Sequence, residues 1–136
     1  MAFVQWDERM SVGVETIDQQ HRELLELMNS LHETCSGDAC QPDAVQKAAD
    51  QFSEYTRYHF STEEQFMDST SYPEFDEHME QHMECSMKAA DFFGDYLAGG
   101  GEVGRDMLEY LKQWLINHIL KTDRKLGLHL RNQGLE

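Results

Sequence analysis

The fold is indicated most clearly by residues 45–67, VQKAADQFSEYTRYHFSTEEQFM. Apolar residues recur there every three or four positions, which is the period of a helix that buries one face. His59 and Glu63 continue the same stripe, so an imidazole and a carboxylate occupy positions where hydrophobic side chains are expected. The stretch therefore predicts an amphipathic helix whose buried face contains polar groups.

Three further segments show the same helical period. The four stripes are Ile17, His21, Leu24, Met28, Leu31 and Cys35; Val45, Ala48, Phe52, Tyr55, His59, Glu63 and Phe66; Phe75, His78, His82, Cys85, Ala89, Phe92 and Tyr96; and Val103, Met107, Leu111, Trp114 and His118. Breaker residues separate them at 36–42, 69–73 and 99–101. No alternating pattern typical of a strand competes with this interpretation.

Four amphipathic helices joined by short loops are expected to pack as antiparallel neighbours. The sequence thus predicts an all-α fold, an antiparallel up-down-up-down four-helix bundle with an N-terminal arm. We expect one domain over residues 1–136, with the arm at 1–16 and the bundle at 17–136. Thr16 and Gln19 have the spacing of a capping box at the start of the first helix.

Composition excludes several classes of function. The chain of 136 residues has 11 Lys and Arg against 26 Asp and Glu, a net charge of −15. Such a surface repels phosphate backbones and anionic lipids, so we expect no nucleic-acid partner and no direct membrane binding. No apolar run approaches the roughly 20 residues of a membrane span, and the charged first ten residues do not resemble a signal peptide. We expect a cytoplasmic protein.

Five of the seven histidines lie in the stripes that face the core: His21, His59, His78, His82 and His118. A single buried histidine is usually satisfied by one hydrogen bond, and a buried carboxylate such as Glu63 is costly without a partner. Five histidines spread over all four helices would need five separate hydrogen-bond partners, whereas one metal centre satisfies them together.

The spacing of these residues supports a metal centre. His59 and Glu63, and likewise His78 and His82, are four residues apart and share a helix face. Asp123 follows His118 by five residues, and five steps of about 100° place it off that face in a regular helix. Either the helix loosens or ends there, as a π-bulge would allow, or Asp123 is not a ligand.

These seven side chains provide more donors than one octahedral shell accepts, so two metal ions are implied. Imidazole combined with carboxylate suits iron, zinc, copper or nickel rather than calcium or magnesium.

The motifs resemble those of the bacterial hemerythrin family. The resemblance rests on His21 after IDQQ, on HFSTEEQFM at 59–67, on Tyr72-Pro73 before His78 and His82, and on His118-Ile119 before Asp123. It covers about the whole chain and implies a non-heme di-iron centre, oxo- or hydroxo-bridged, in which Glu63 and Asp123 bridge the two irons. One iron would bind His78, His82 and His118, and the other would bind His21 and His59 and keep an open position.

The resemblance also implies the function. We expect reversible O2 binding, by an oxygen carrier or by the O2- or redox-sensing domain of a chemotaxis protein with an attached signalling region; small anions such as azide would bind at the same iron. An enzyme that reduces peroxide or nitric oxide is the alternative. The family pattern places Phe60, Trp114, Leu115 and Ile119 in the wall of the O2 pocket.

Other polar residues have ordinary interpretations. Glu64 is expected on a solvated face, His32 and His129 are expected at the surface, and Cys85 is expected to be a buried structural thiol.

Overall fold

The computed structural model describes residues 3–36, 42–97 and 103–135. After a short 3-10 turn at Glu8–Met10, the helices are α1 (Glu15–Ser36), α2 (Pro42–Ser69), α3 (Phe75–Leu97), α4 (Val103–Asn117) and α5 (Arg124–Asn132). A π-helical segment at His118–Asp123 joins α4 to α5, and the residues at both of its ends keep right-handed helical backbone angles. Within the described ranges there is no strand.

The helices form the predicted antiparallel four-helix bundle. Helix α1 packs against α2 and α4, and α3 packs against α2 and α4, so α4, the π-helical segment and α5 together make the fourth rod. Pro42 is the first residue of α2, a position that suits proline because proline lacks the N–H that a first helical turn leaves unpaired. None of the described helices has the length and apolar character that crossing a membrane requires.

The start of α1 differs from the predicted capping box. The helix begins at Glu15, before Thr16, so Thr16 cannot be its cap. Asp18 instead accepts hydrogen bonds from the Ser11 hydroxyl and the Val12 N–H, which ties the arm to the first turn of α1. The capping-box prediction is therefore wrong, and the carboxylate in the first turn binds the arm rather than a free N–H of the helix.

The bundle interior contains two apolar clusters on either side of a polar layer. The larger cluster includes Leu24, Met28, Phe52 and Leu111, and the smaller one includes Ile17, Met67, Leu126 and Leu130. The third stripe shows one difference from the sequence prediction, since α3 buries Phe93 and leaves Phe92 partly exposed against Tyr110. The side chains of Cys35, Tyr96, Val103 and Met107, and all of Cys40, lie outside the described residues.

Candidate metal centre

The polar layer between the two apolar clusters contains the seven predicted ligands. Their side chains are at most 4% exposed. Helix α1 provides one residue, α2 two, α3 two and the π-helical segment two; these are His21, His59, Glu63, His78, His82, His118 and Asp123. Each i, i+4 pair faces the bundle axis because its two members lie one helical turn apart.

The π-helical segment explains how Asp123 joins the layer. Its wider turn brings residue i+5 back over residue i, whereas a regular α-helix would place Asp123 well away from the His118 face. As a result His118 Nε2 lies 3.0 Å from Asp123 Oδ1. The sequence left open whether the helix loosens there, and the structure shows that it does.

The two carboxylates divide their oxygen atoms between the two ends of the layer. On one side Glu63 Oε2 lies 3.3 Å from His59 Nε2, and Asp123 Oδ2 lies 2.9 Å from His21 Nε2. On the other side Glu63 Oε1 lies 3.0 Å from His82 Nε2, and Asp123 Oδ1 lies 3.1 Å from His78 Nε2.

Two overlapping sets of ligand atoms result, and both contain Glu63 and Asp123. One adds His78, His82 and His118, the other adds His21 and His59, and the atoms of each set lie within 4.8 Å of one another. Metal bonds of about 2.1 Å place neighbouring octahedral ligands about 3 Å apart, close to the observed separations. The arrangement fits two cations that share two carboxylates.

Unpaired polar atoms in this layer support the fit to metal ions. Buried atoms without a hydrogen-bond partner among the described residues include His21 Nε2, His59 Nε2, His118 Nε2, Glu63 Oε2 and both Asp123 oxygens. Leaving a buried polar atom unpaired costs about 1–3 kcal/mol. So many buried polar atoms without an aligned hydrogen bond, converging on one layer, are satisfied together when cations bind between them.

Charge within the layer alters the pKa of several groups. Burial by itself raises the pKa of Glu63 and Asp123, but contacts with the surrounding histidines lower it below its ordinary value. Burial by itself lowers the pKa of His21 and His78, but the close Asp123 and Glu63 carboxylates raise it to about 9. Without metal the layer is thus held by ion pairs, and cations must displace protons to bind.

Three polar side chains next to ligands in the sequence orient histidines of the following helix. Gln20 on α1 accepts from His59 Nδ1 at 2.8 Å, and Glu64 on α2 accepts from His82 Nδ1 at 3.0 Å. Gln81 on α3 accepts from His118 Nδ1 at 2.8 Å. A hydrogen bond at Nδ1 leaves Nε2 free for a metal and fixes the ring orientation.

Sequence reasoning missed the roles of Gln20 and Gln81 and placed Glu64 on a solvated face. That placement is wrong, since the Glu64 side chain is only 30% exposed and bonds His82. Each of the three residues directly precedes or follows a ligand, so each lies at the edge of a helix face turned toward a neighbour. This adjacency to a ligand in the sequence was the feature from which their roles could have been predicted.

Two of the four predicted pocket residues contact ligands of the layer, and the other two lie in the larger apolar cluster. Phe60 is buried and stacks on His82 with ring centroids 3.8 Å apart. Trp114 stacks on His118 at 4.6 Å and remains partly exposed. Leu115 and Ile119 are buried in the larger apolar cluster.

The remaining sequence predictions have mixed outcomes. Cys85 is buried, as expected, and burial raises the pKa of its thiol to about 12. His32 and His129 are only partly exposed, since His32 stacks on Phe3 and His129 bonds Thr70. Neither histidine belongs to the sets of ligand atoms.

Comparison with known proteins gives consistent results. The family model described as the hemerythrin HHE cation binding domain matches residues 12–128. A bacteriohemerythrin of Stenotrophomonas maltophilia is 32% identical over 124 residues, which cover 91% of this chain and 79% of that protein. A bacteriohemerythrin of Methylococcus capsulatus is 30% identical over 128 residues, which cover 93% and 96% respectively. A solved structure of wild-type hemerythrin superimposes with a TM-score of 0.86 at 29% identity, covering 95% of this chain and 98% of that one.

Proposed function

Because the chain belongs to the hemerythrin family, we propose that it binds O2 reversibly at a centre of two iron ions. His78, His82 and His118 would bind one iron, His21 and His59 the other, and Glu63 and Asp123 would bridge them. The observation that supports this assignment best is the division of the carboxylate oxygens, one from each residue toward each set of histidines.

A bound pair of irons, with an oxo or hydroxo bridge, would supply the reversible two-electron chemistry of O2 binding. The protein contributes five imidazoles and only two carboxylates, so much of the cation charge is left unneutralised. Carboxylate-rich di-iron bundles, which use Glu-x-x-His pairs, donate more negative charge to their metals. The histidine-rich set is therefore suited to binding O2 rather than to oxidising a substrate.

The open position would belong to the iron held by two histidines, His21 and His59, because the other set provides three. We infer that Phe60, Trp114, Leu115 and Ile119 keep this position dry, as apolar side chains next to or near the layer exclude water from a reactive site. Small anions such as azide would compete with O2 there.

Reconstitution with Fe(II) under anaerobic conditions tests the assignment. We expect two irons per chain, an optical band on mixing with O2, and loss of that band on evacuation. One iron per chain, or a spectrum that O2 does not change, would contradict the proposal. Turnover of peroxide or nitric oxide by the loaded protein would instead support the enzymatic alternative, and a cellular defect in aerotaxis would support a sensing role over transport.

The wall of the O2 pocket has a direct test in Leu115→Ala. Removing a buried leucine costs roughly 2–5 kcal/mol of stability and opens space that water can enter near the open position. We expect the O2-loaded form to decay faster in this variant, with iron content and azide binding retained. Stopped-flow spectroscopy measures the lifetime, and Leu128→Ala, at a residue 54% exposed, is the control. Equal lifetimes would remove Leu115 from the pocket.

A further inference from the structure

Trp114 is an aromatic side chain that both stacks on a ligand ring and reaches the surface. Its indole lies parallel to the His118 imidazole, with centroids 4.6 Å apart and ring planes 13° apart. The indole is partly exposed and lines a surface pocket between α3 and α4, together with His118 and Gln81. An unbroken path of two stacked π-systems thus connects solvent with a ligand of the metal layer.

Among the described residues no other ligand ring stacks face to face on an aromatic side chain that reaches the surface. Phe60 stacks on His82 but is itself 4% exposed, so that stack ends inside the protein. Tyr72 meets His78 edge-on at 6.3 Å, and His21 and His59 meet each other edge-on at 4.6 Å. A parallel stack allows more overlap between π-orbitals than an edge-on contact does.

An O2 carrier needs such a path, since oxidised iron does not bind O2 until it is reduced again. Under the proposed function apolar side chains enclose the open position, and a charged reductant would lose its hydration on entering that pocket. Electrons must therefore reach the metals through the protein. Electronic coupling decays steeply across saturated groups and empty space, which favours the shortest conjugated path from the surface.

We propose that Trp114 and His118 form the route by which electrons from a one-electron donor in solvent reach the metal centre. This proposal rests on the proposed di-iron function. Each event would move one electron from the donor to one ferric ion, and an oxo bridge would take up one proton from water as it becomes hydroxo. Two events, and two oxidised donors, return both irons to the ferrous state.

The charge of the molecule indicates which donors are favoured. The pocket beside Trp114 contains one acidic and one basic side chain, Glu84 and Lys121, while the whole chain has a net charge of −15. A cationic donor is attracted to such a molecule, and an anionic donor is repelled. Hexaammineruthenium(II), a cation that reacts without binding to the metals, is a suitable probe.

The test measures the rate at which this probe reduces the ferric protein in the absence of O2. We expect Trp114→Leu to slow the reaction several-fold and Trp114→Phe, which keeps an aromatic ring, to restore most of the rate. Tyr110→Leu is the matched control, because Tyr110 is a partly exposed aromatic residue one turn earlier on α4 that contacts Phe92. The Tyr110→Leu variant should be reduced by the probe at the same rate as the unaltered protein.

A second measurement does not depend on iron or on redox activity. The sequence has two tryptophans, so Trp6→Phe leaves only Trp114 and Trp114→Phe leaves only Trp6. Binding of Co(II) to the metal-free protein should quench the fluorescence of Trp114 much more strongly than that of Trp6. Equal quenching of the two residues would overturn the proposal, because it would show no special coupling of Trp114 to the layer.

The two levels of inference can fail separately. A protein that takes up no iron would contradict the proposed function, whatever Trp114 does. The electron route alone would be overturned by a different result. In that case the protein takes up two irons and binds azide normally, but the Trp114→Leu variant is reduced as fast as the unaltered protein.

Discussion

At the scale of single residues, the centre depends on side chains that do not themselves point at the metals. Gln20, Glu64 and Gln81 each cross to the next helix and hold one imidazole by its Nδ1 atom. Gln81 also accepts a hydrogen bond from the Thr122 hydroxyl at 2.8 Å. Each bond therefore orients a ligand and joins two helices of the bundle at the level of the polar layer.

Gln81→Leu tests this role. The substitution preserves approximate size but removes the acceptor, so His118 loses its fixed orientation and Thr122 its partner. We expect metal affinity to fall by about 10- to 100-fold, the usual effect of removing such a bond. Competition with a chelator measures the affinity. Gln113→Leu is the control, since Gln113 bonds Glu109 on the exposed face of α4, and equal affinities in the two variants would contradict the assignment.

At the scale of helices, the π-helical segment places one extra residue in the fourth rod. Removing a residue from His118–Asp123 should convert it to a regular α-helix in which the aspartate follows His118 by four positions, like the pairs His59/Glu63 and His78/His82. The residues of α5 then keep nearly the same orientation, because four α-helical residues and five π-helical residues both make about one turn.

Deletion of the exposed Lys121 is therefore expected to preserve the bundle and its metal stoichiometry. Deletion of Gln113, in the regular part of α4, should instead rotate the following residues by about 100° and remove His118 and Asp123 from the layer. Metal analysis and circular dichroism of the two deletion variants provide the comparison. Loss of metal in the Lys121 deletion, with the helical content retained, would show that the π-helical segment is itself required.

The arm is attached to the bundle by a close contact between Gly127 on α5 and Val12. A Cβ atom added at Gly127 would overlap the backbone carbonyl oxygen of Val12. The arm would have to move, together with the hydrogen bonds that Asp18 accepts from Ser11 and Val12. Only glycine permits this approach of the two backbones.

Gly127→Ala is expected to destabilise the protein by about 1–3 kcal/mol, as overpacking usually does. Gly94→Ala is the matched control, because Gly94 is an exposed helical glycine with nothing within 4 Å of an added Cβ. That control should gain about 0.5–1 kcal/mol from the better helix propensity of alanine. Denaturant unfolding measures both, and a Gly127→Ala variant as stable as Gly94→Ala would show that the arm is loosely attached.

At the scale of the whole molecule, two apolar clusters are separated by a layer of charged and ionisable groups. In the metal-free protein this layer contributes stability through charge. His21 and His78 have a folded pKa of about 9 against an ordinary value of 6.5, so their contribution is complete below pH 6.5 and is lost as the pH rises to 9. The contribution of Glu63 and Asp123, whose pKa is lowered, is lost only in acid.

The stabilisation by metal is expected to increase as the pH rises, whereas the stability of the metal-free protein falls. Cations bind neutral imidazoles, so raising the pH favours binding while it weakens the metal-free bundle. The difference in melting temperature between loaded and metal-free protein should therefore widen from pH 6.5 to 9. Circular dichroism melts at several pH values measure this difference. A constant or narrowing gap would contradict the charge state derived for the layer.

The four helices and most of the candidate site can be predicted from the amino-acid sequence alone. Helical periodicity and the i, i+4 pairs are local properties, because neighbours on a helix face are set by backbone geometry alone. His59 with Glu63, and His78 with His82, could thus be read from spacing. Asp123 could not, since a regular helix excludes it, and only the resemblance to a known family favoured it before the structure showed the π-helical segment.

The tertiary structure decided everything that depends on how one helix is rotated against another. It placed Glu64 on His82 rather than in solvent, turned Phe93 inward in place of Phe92, and directed separate oxygens of Glu63 and Asp123 to the two sets of histidines. A rotation of a few tens of degrees exchanges the residues at the edge of a buried face. Spacing along one helix carries no information about that rotation, because it is fixed by packing between helices.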